Sequence, residues 1–178
     1  MVCAHLDSKH NTPGALDNAA GLVVLRLLAE RLGQYEGDIG VELVALNGEE
    51  HYRAPGQVEY LKSQGDLSDI MMVINVDGPG YGTSSGYSLY NCPEPWKDII
   101  VQTVESKSGV QMGEGWHQGD HMIFVQQGIP ALAVTSLAME EMLSLVHTAR
   151  DTVEGVCAKR LVEVADCLYA CILSLSGE

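Results

Sequence analysis

Three apolar runs, each stopping on an acid or an imidazole, constrain the fold of this chain more than any other feature of it. Met1 to Leu6 is the expected end of a buried strand and carries His5, with Asp7 just beyond. Ile39 to Leu46 is a second strand that breaks into Asn47-Gly48-Glu49-Glu50. Ile70 to Val76 is continuously apolar, as a strand covered on both faces should be, and it stops at Asp77. Between these runs the period turns helical. After a polar, turn-rich stretch from Asp7 to Gly14, a helix is expected from near Asp17, with Leu22, Val23, Leu25, Leu27, Leu28 and Leu32 on its apolar face and Gly33 ending it. Gln57 to Ser63 forms a shorter helix.

The second half continues the alternation. A loop from Gly78 to Gly86 leads to a short strand, Tyr87 to Tyr90, and a helix from Pro95 to Ser106. A loop from Gly113 to Gly119 precedes a short helix, Asp120 to Gln127, and a strand, Ile129 to Thr135. A loop and a short helix then lead to His147, and Glu154 to Leu175 is a long final helix. Strands and helices in alternation predict a three-layer α/β/α sandwich around a mainly parallel sheet. Such sheets bind ligands beyond the carboxyl ends of their strands, where His5, Glu49, Glu50 and Asp77 lie.

Composition narrows the partners. A length of 178 residues with a 46% hydrophobic share suits one globular domain spanning the chain. With 24 acidic against 10 basic residues the formal charge is −14, which repels nucleic acid and anionic membrane surfaces. No apolar run approaches the roughly 18 residues needed to span a bilayer. The cysteines Cys3, Cys92, Cys157, Cys167 and Cys171 are odd in number and lack CxxC spacing, so buried free thiols are expected rather than disulfides or a zinc ribbon. Free thiols and the lack of a signal peptide point weakly to a reducing, cytoplasmic compartment.

Taken singly, each candidate ligand has an ordinary explanation. Asp17 could be an N-cap, His5 a core histidine, Glu49-Glu50 two solvated acids, and Asp77-Gly78 and His147-Thr148 plain turns. Jointly they differ, because a doubly wound sheet brings the separate connections that carry them to one edge. Imidazole and carboxylate without thiolate suit zinc, or less specifically cobalt or manganese.

In their order and spacing, these motifs resemble the zinc aminopeptidases of metallopeptidase family 28, which include bacterial leucyl-type aminopeptidases and glutamate carboxypeptidase relatives. The resemblance rests on His5-Leu6-Asp7-Ser8, on Pro13-Gly14-Ala15-Leu16-Asp17-Asn18-Ala19-Ala20-Gly21, on Asn47-Gly48-Glu49-Glu50, on Asn75-Val76-Asp77 and on Val146 to Thr152. It implies the sandwich fold of zinc exopeptidases, peptide or small aminoacyl substrates, and two divalent ions, zinc first among them. Asp17 would bridge the ions, with His5 and Asp77 completing one site and Glu50 and His147 the other. Glu49 would be the general base. Asp7 would accept the second ring N–H of His5 and so fix its tautomer.

The segment Trp116-His117-Gln118-Gly119-Asp120-His121 resembles a family segment in which an Asp-His pair follows a serine; here Gly119 stands in the serine's place. Asp120 and His121 are expected to be structural or substrate-side groups, with Tyr81 and Trp116 as candidates for a specificity pocket. Family members carry further residues, outer strands included, before the His5 motif. The resemblance therefore implies an N-terminally shortened catalytic domain whose strand Val41 to Leu46 is an open edge, covered by further chain or by another copy. Glutaminyl cyclases share this fold but follow the bridging Asp with Ser, whereas Asn18 follows Asp17. A homologue that binds metal without turnover is the remaining alternative.

Overall fold

The computed structural model describes residues 1–177. Its six strands are β1 (Val2–His5), β2 (Leu43–Leu46), β3 (Val73–Val76), β4 (Ser85–Tyr90), β5 (Val110–Met112) and β6 (Ala131–Ser136), in the order β2-β1-β3-β6-β4-β5. Neighbouring strands are parallel except β4 against β6. The helices are α1 (Ala20–Leu32), α2 (Pro55–Gln64), α3 (Glu94–Glu105), α4 (His121–Val125), α5 (Met139–Leu143) and α6 (Ala158–Ser176).

Side chains alternate across a strand, so each central strand feeds two cores. Val2, Ala4, Ile74, Val76, Leu132 and Val134 face one core, where Val24 and Leu28 of α1, Ile100 and Val104 of α3 and Val164 and Leu168 of α6 are all fully buried. Cys3, Val73 and Ala131 face the other, against Phe124 of α4 and Tyr60 and Leu61 of α2. Helices therefore cover both faces of the sheet, and the expected three-layer α/β/α sandwich is the observed architecture. β2 is an edge strand bonded only to β1, and all five cysteines are free thiols.

The structure differs from the sequence reading in several places: β2 and β3 start at Leu43 and Val73 instead of Ile39 and Ile70, and β4 starts at Ser85 instead of Tyr87. α1 begins at Ala20 rather than near Asp17, because residues 15–19 form an irregular turn in which Asp17 and Asn18 have non-helical dihedrals. β5 was not anticipated; three residues after Gly109 are too few to show a period. The last helix starts at Ala158 instead of Glu154, after a separate 3-10 turn at Val153–Gly155. Among the described residues, no helix is long and apolar enough to cross a membrane.

Candidate metal centre

β1 and β3 are parallel neighbours, so the residues that end them, His5 and Asp77, meet at the carboxyl edge of the sheet. His5 is fully buried; its Nε2 lies 3.3 Å from Asp77 Oδ1 and 3.0 Å from Asp17 Oδ1. Its Nδ1 is 2.9 Å from the backbone carbonyl of Asp7 and donates to it, which turns Nε2 toward the carboxylates.

Asp17 reaches this point from the irregular turn before α1, which is anchored at both ends. The Asp151 carboxylate accepts the backbone N–H of Leu16 (2.6 Å) and of Asp17 (3.3 Å). The Asn18 side chain donates to the Val76 carbonyl (2.9 Å) and accepts the N–H of Gly21 (3.0 Å) and Gly78 (3.3 Å). Gly21 is required by this approach, since a Cβ there would fall 2.3 Å from Asn18 Oδ1 and 2.6 Å from the Val76 carbonyl oxygen.

A second group of donors lies on the other side of Asp17. His147 Nε2 is 3.0 Å from Asp17 Oδ2 and 2.7 Å from Glu50 Oε1. Glu50 Oε1 is buried and has no hydrogen-bond partner among the described residues. His147 holds a left-handed backbone (φ 60°), a conformation that non-glycine residues adopt sparingly and that often marks functional sites. His5, Asp17 and Asp77 thus form one trio whose ligand atoms lie within 4.8 Å of one another, and Asp17, Glu50 and His147 form another. Asp17 is common to both, one oxygen facing each.

Glu49 lines the cleft beside the trios together with Asp17, Asp77, Trp116, Gln118 and Met142. Burial, reinforced by the charges of Asp77 and Asp120 and only partly opposed by His5, pushes its carboxyl up to about 8. Burial also raises Asp77 despite its bond to His5, and raises Glu50 together with the Asp17 charge. For Asp17 the order reverses: burial works upward, but the hydrogen bond and charge of His5 outweigh it and hold the carboxyl low. His5 is disfavoured as a cation by burial, and its bonds to Asp17 and Asp77 override this, lifting it to about 12. Four carboxylates facing two imidazoles are a site short of positive charge, and a divalent cation in each trio would supply it.

Two expectations need correction. The Asp7 carboxylate does not accept the His5 ring N–H, because its own backbone carbonyl does. Its oxygens take the backbone N–H groups of Gly48 (2.7 Å), Glu49 (3.2 Å) and Glu50 (3.1 Å), fastening the glutamate loop to the loop after β1. Asp120 and His121 have no exposed surface for a substrate to touch. Gln57 donates to Asp120, and His121 Nε2 donates to the Trp116 carbonyl at 2.9 Å. Burial, with the Asp77 charge, pushes Asp120 up to about 7.

Of the aromatic candidates, Trp116 lines the cleft while Tyr81 packs into a small cluster with Leu16, Met142 and Val146. Gly119 has a φ of +96°, and a Cβ there would sit 3.0 Å from Asn75 Nδ2 and 3.3 Å from Asp77 Oδ2. The motifs give Asn18 and Asp151 no structural role, and nothing in the sequence pattern marks Lys9, which lies 3.6 Å from Glu50 Oε2. Hydrogen bonds to distant backbone leave no spacing signal that would have shown them.

The sequence model of Peptidase family M28 matches residues 1–172 of this geometry's chain. The chain belongs to that family. Aminopeptidase YwaD of Bacillus subtilis (strain 168) is 27% identical to this M28 chain over 187 residues, covering 96% of it and 40% of YwaD. Among solved structures, BSAP, a zinc aminopeptidase from Bacillus subtilis, superposes with a TM-score of 0.82 at 23% identity, covering 98% of this chain and 45% of its own. The aminopeptidase from Aneurinibacillus sp. strain AM-1 gives 0.79 at 25% identity, with 97% and 42% covered. The M28 chain therefore spans less than half the length of these relatives.

Proposed function

We propose that this M28 domain is a zinc-dependent aminopeptidase in which His5, Asp17 and Asp77 hold one ion, Asp17, Glu50 and His147 hold a second, and Glu49 is the general base. The observation that carries the reading is the buried Glu50 Oε1, 2.7 Å from His147 Nε2 and hydrogen-bonded to nothing. A buried carboxylate oxygen without a hydrogen-bond partner, set beside an imidazole nitrogen and a second carboxylate, belongs to a donor set that a divalent cation would satisfy. The names of the relatives, a zinc aminopeptidase and two further aminopeptidases, support the choice of metal and of substrate.

Bound zinc supplies Lewis-acid polarisation of the scissile carbonyl and lowers the pKa of a water at neutral pH. Glu49 removes the proton from the attacking water and delivers it to the leaving amine. Its burial beside other carboxylates suits both halves of that task, because a base whose pKa lies near the working pH both accepts and releases a proton readily. The apolar wall formed by Trp116, Met142 and Leu143 limits water around the reacting carbonyl.

The decisive experiment measures hydrolysis of an aminoacyl anilide by zinc-loaded protein, with the N-acetylated anilide as control. Cleavage restricted to the free amine, lost in Glu49→Gln by about 10²- to 10⁴-fold with both zinc equivalents retained, is the expected result. Full activity in Glu49→Gln would remove the base from the mechanism. Cleavage of the acetylated substrate at equal rate would remove the aminopeptidase reading.

A further inference from the structure

Lys9 is the one lysine or arginine side chain, among the described residues, that comes within 4.0 Å of a carboxylate of either trio. It belongs to the loop after β1, where Thr12 pins its backbone twice: the Thr12 N–H (3.0 Å) and hydroxyl (2.6 Å) both donate to the Lys9 carbonyl. From there the ammonium engages Glu50 at two points, donating to its backbone carbonyl at 3.4 Å and lying 3.6 Å from Oε2. Glu50 is nearly buried, with its side chain 4% exposed, whereas that of Lys9 is 50% exposed. The two carboxylate oxygens therefore face different neighbours: Oε1 looks at His147 and Asp17, and Oε2 looks at Lys9.

We infer that Lys9 is an affinity-determining residue that keeps the outer half of the site weak, by holding Glu50 Oε2 away from an ion shared with Asp17 and His147. Two effects of the ammonium act in the same direction. It occupies the oxygen that Glu50 would need to bind an ion through both carboxylate atoms. It also places a fixed positive charge next to the position of a dication, and the repulsion acts on the outer ion far more than on the inner one behind Asp17. Among the described residues no lysine or arginine pairs with His5 or Asp77, so the ammonium acts on one half alone. Unequal affinity would let the inner ion stay bound while the outer one exchanges with its surroundings. The inference rests on the metal-holding part of the proposed function and not on the peptidase chemistry.

The test is a zinc titration of metal-free protein against a chromophoric chelator, with no substrate present. Lys9→Met is expected to tighten the weaker zinc equivalent about tenfold while leaving the tighter one within about twofold, and Lys9→Arg, which keeps the charge, to stay near the wild type at both. Lys9→Gln serves as the second neutral variant should the methionine form fail to fold. Zinc at the weaker position appearing only in the neutral variants would also support the inference. Equal affinities in wild type and Lys9→Met, a weaker outer ion, or a parallel shift of both ions would overturn it. Because hydrolysis is not measured, a protein that binds two zinc ions and cleaves nothing would sink the aminopeptidase reading and leave this one standing.

Discussion

The two halves of the proposed metal centre share Asp17 and little else. The inner half is carried by strand ends: His5 closes β1, Asp77 follows β3, and their side chains are 0% and 7% exposed. The outer half is carried by loops, with Glu50 in the connection after β2 and His147 on a left-handed residue whose side chain is 48% exposed. Adjacent parallel strands hold their ends in register through the sheet, so the inner geometry is set by the same hydrogen bonds that set the fold. The outer geometry depends instead on a few local contacts, Asp7 on the glutamate backbone and Lys9 on Glu50. The inner half is thus as stable as the core, and the outer half can be altered without unfolding the protein.

The strongest way to break this comparison is to delete one imidazole from each half in metal-free protein. His5→Ala removes the hydrogen-bonded partner of the buried Asp77 carboxylate and a partner of Asp17, so it should lower unfolding free energy by about 3 to 5 kcal/mol. His147→Ala removes a half-exposed ring and should cost less than about 1 kcal/mol. Urea unfolding of both variants in chelator measures the difference, and equal losses would mean that the halves are equally embedded.

Proton release sharpens the same contrast. His5 is raised to about 12 by its carboxylate partners, so in metal-free protein it is charged throughout the neutral range, and an ion entering the inner trio must displace its proton. Calorimetric titration in two buffers of different ionisation enthalpy should give close to one proton released per inner ion at pH 7. The linkage to stability has a definite sign. A group with a raised folded pKa contributes stability that is full below its unfolded value and lost as pH rises through its folded one. For His5 that window runs from about 6.5 to about 12. Raised carboxyls follow the same rule at lower pH, for Asp120 from about 4 up to about 7. Metal-free protein should therefore lose stability between pH 5 and 7, and Asp120→Asn should flatten that slope by up to about 1.4 kcal/mol per pH unit. The amide oxygen of the variant still accepts from Gln57, so the packing is preserved. An unchanged slope would place the titration elsewhere.

The difference between the halves also explains what could be read from the sequence. His5, Asp77 and the Glu49-Glu50 pair were legible because an apolar run that stops on a polar ligand is a local pattern, and parallel pairing brings such ends together without further information. Helix α1 was legible from its apolar face, yet its first turn was not: Asp151 and Asn18 draw residues 15–19 out of helical geometry through bonds to segments 58 to 135 residues away. β5 offered three residues and no period. For Asp120 the sequence left a structural and a substrate-side role open, and the packing of α2 against α4, which encloses it with Gln57, decides for the structural one. Residue types that follow from periodicity were accessible, and contacts that depend on where a distant backbone runs were not.

Asp7 gives the smallest expected effect. Had its carboxylate held the His5 ring, as a motif of this kind implies, Asp7→Asn would disturb the inner ion first. In the structure the ring is held by the Asp7 carbonyl, which the substitution keeps, while the carboxylate oxygens receive the N–H groups of residues 48 to 50. An asparagine oriented with its oxygen toward Gly48 and Glu49 turns its NH₂ toward the Glu50 N–H, where two donors face each other and one hydrogen bond is lost. The loss falls on the residue that supplies Oε1 to the outer trio. Asp7→Asn should then leave the inner zinc affinity within about twofold and weaken the outer one by roughly tenfold, the size typical of groups that orient a metal ligand. A chelator titration that finds the inner ion weakened instead would return the Asp7 carboxylate to the His5 ring.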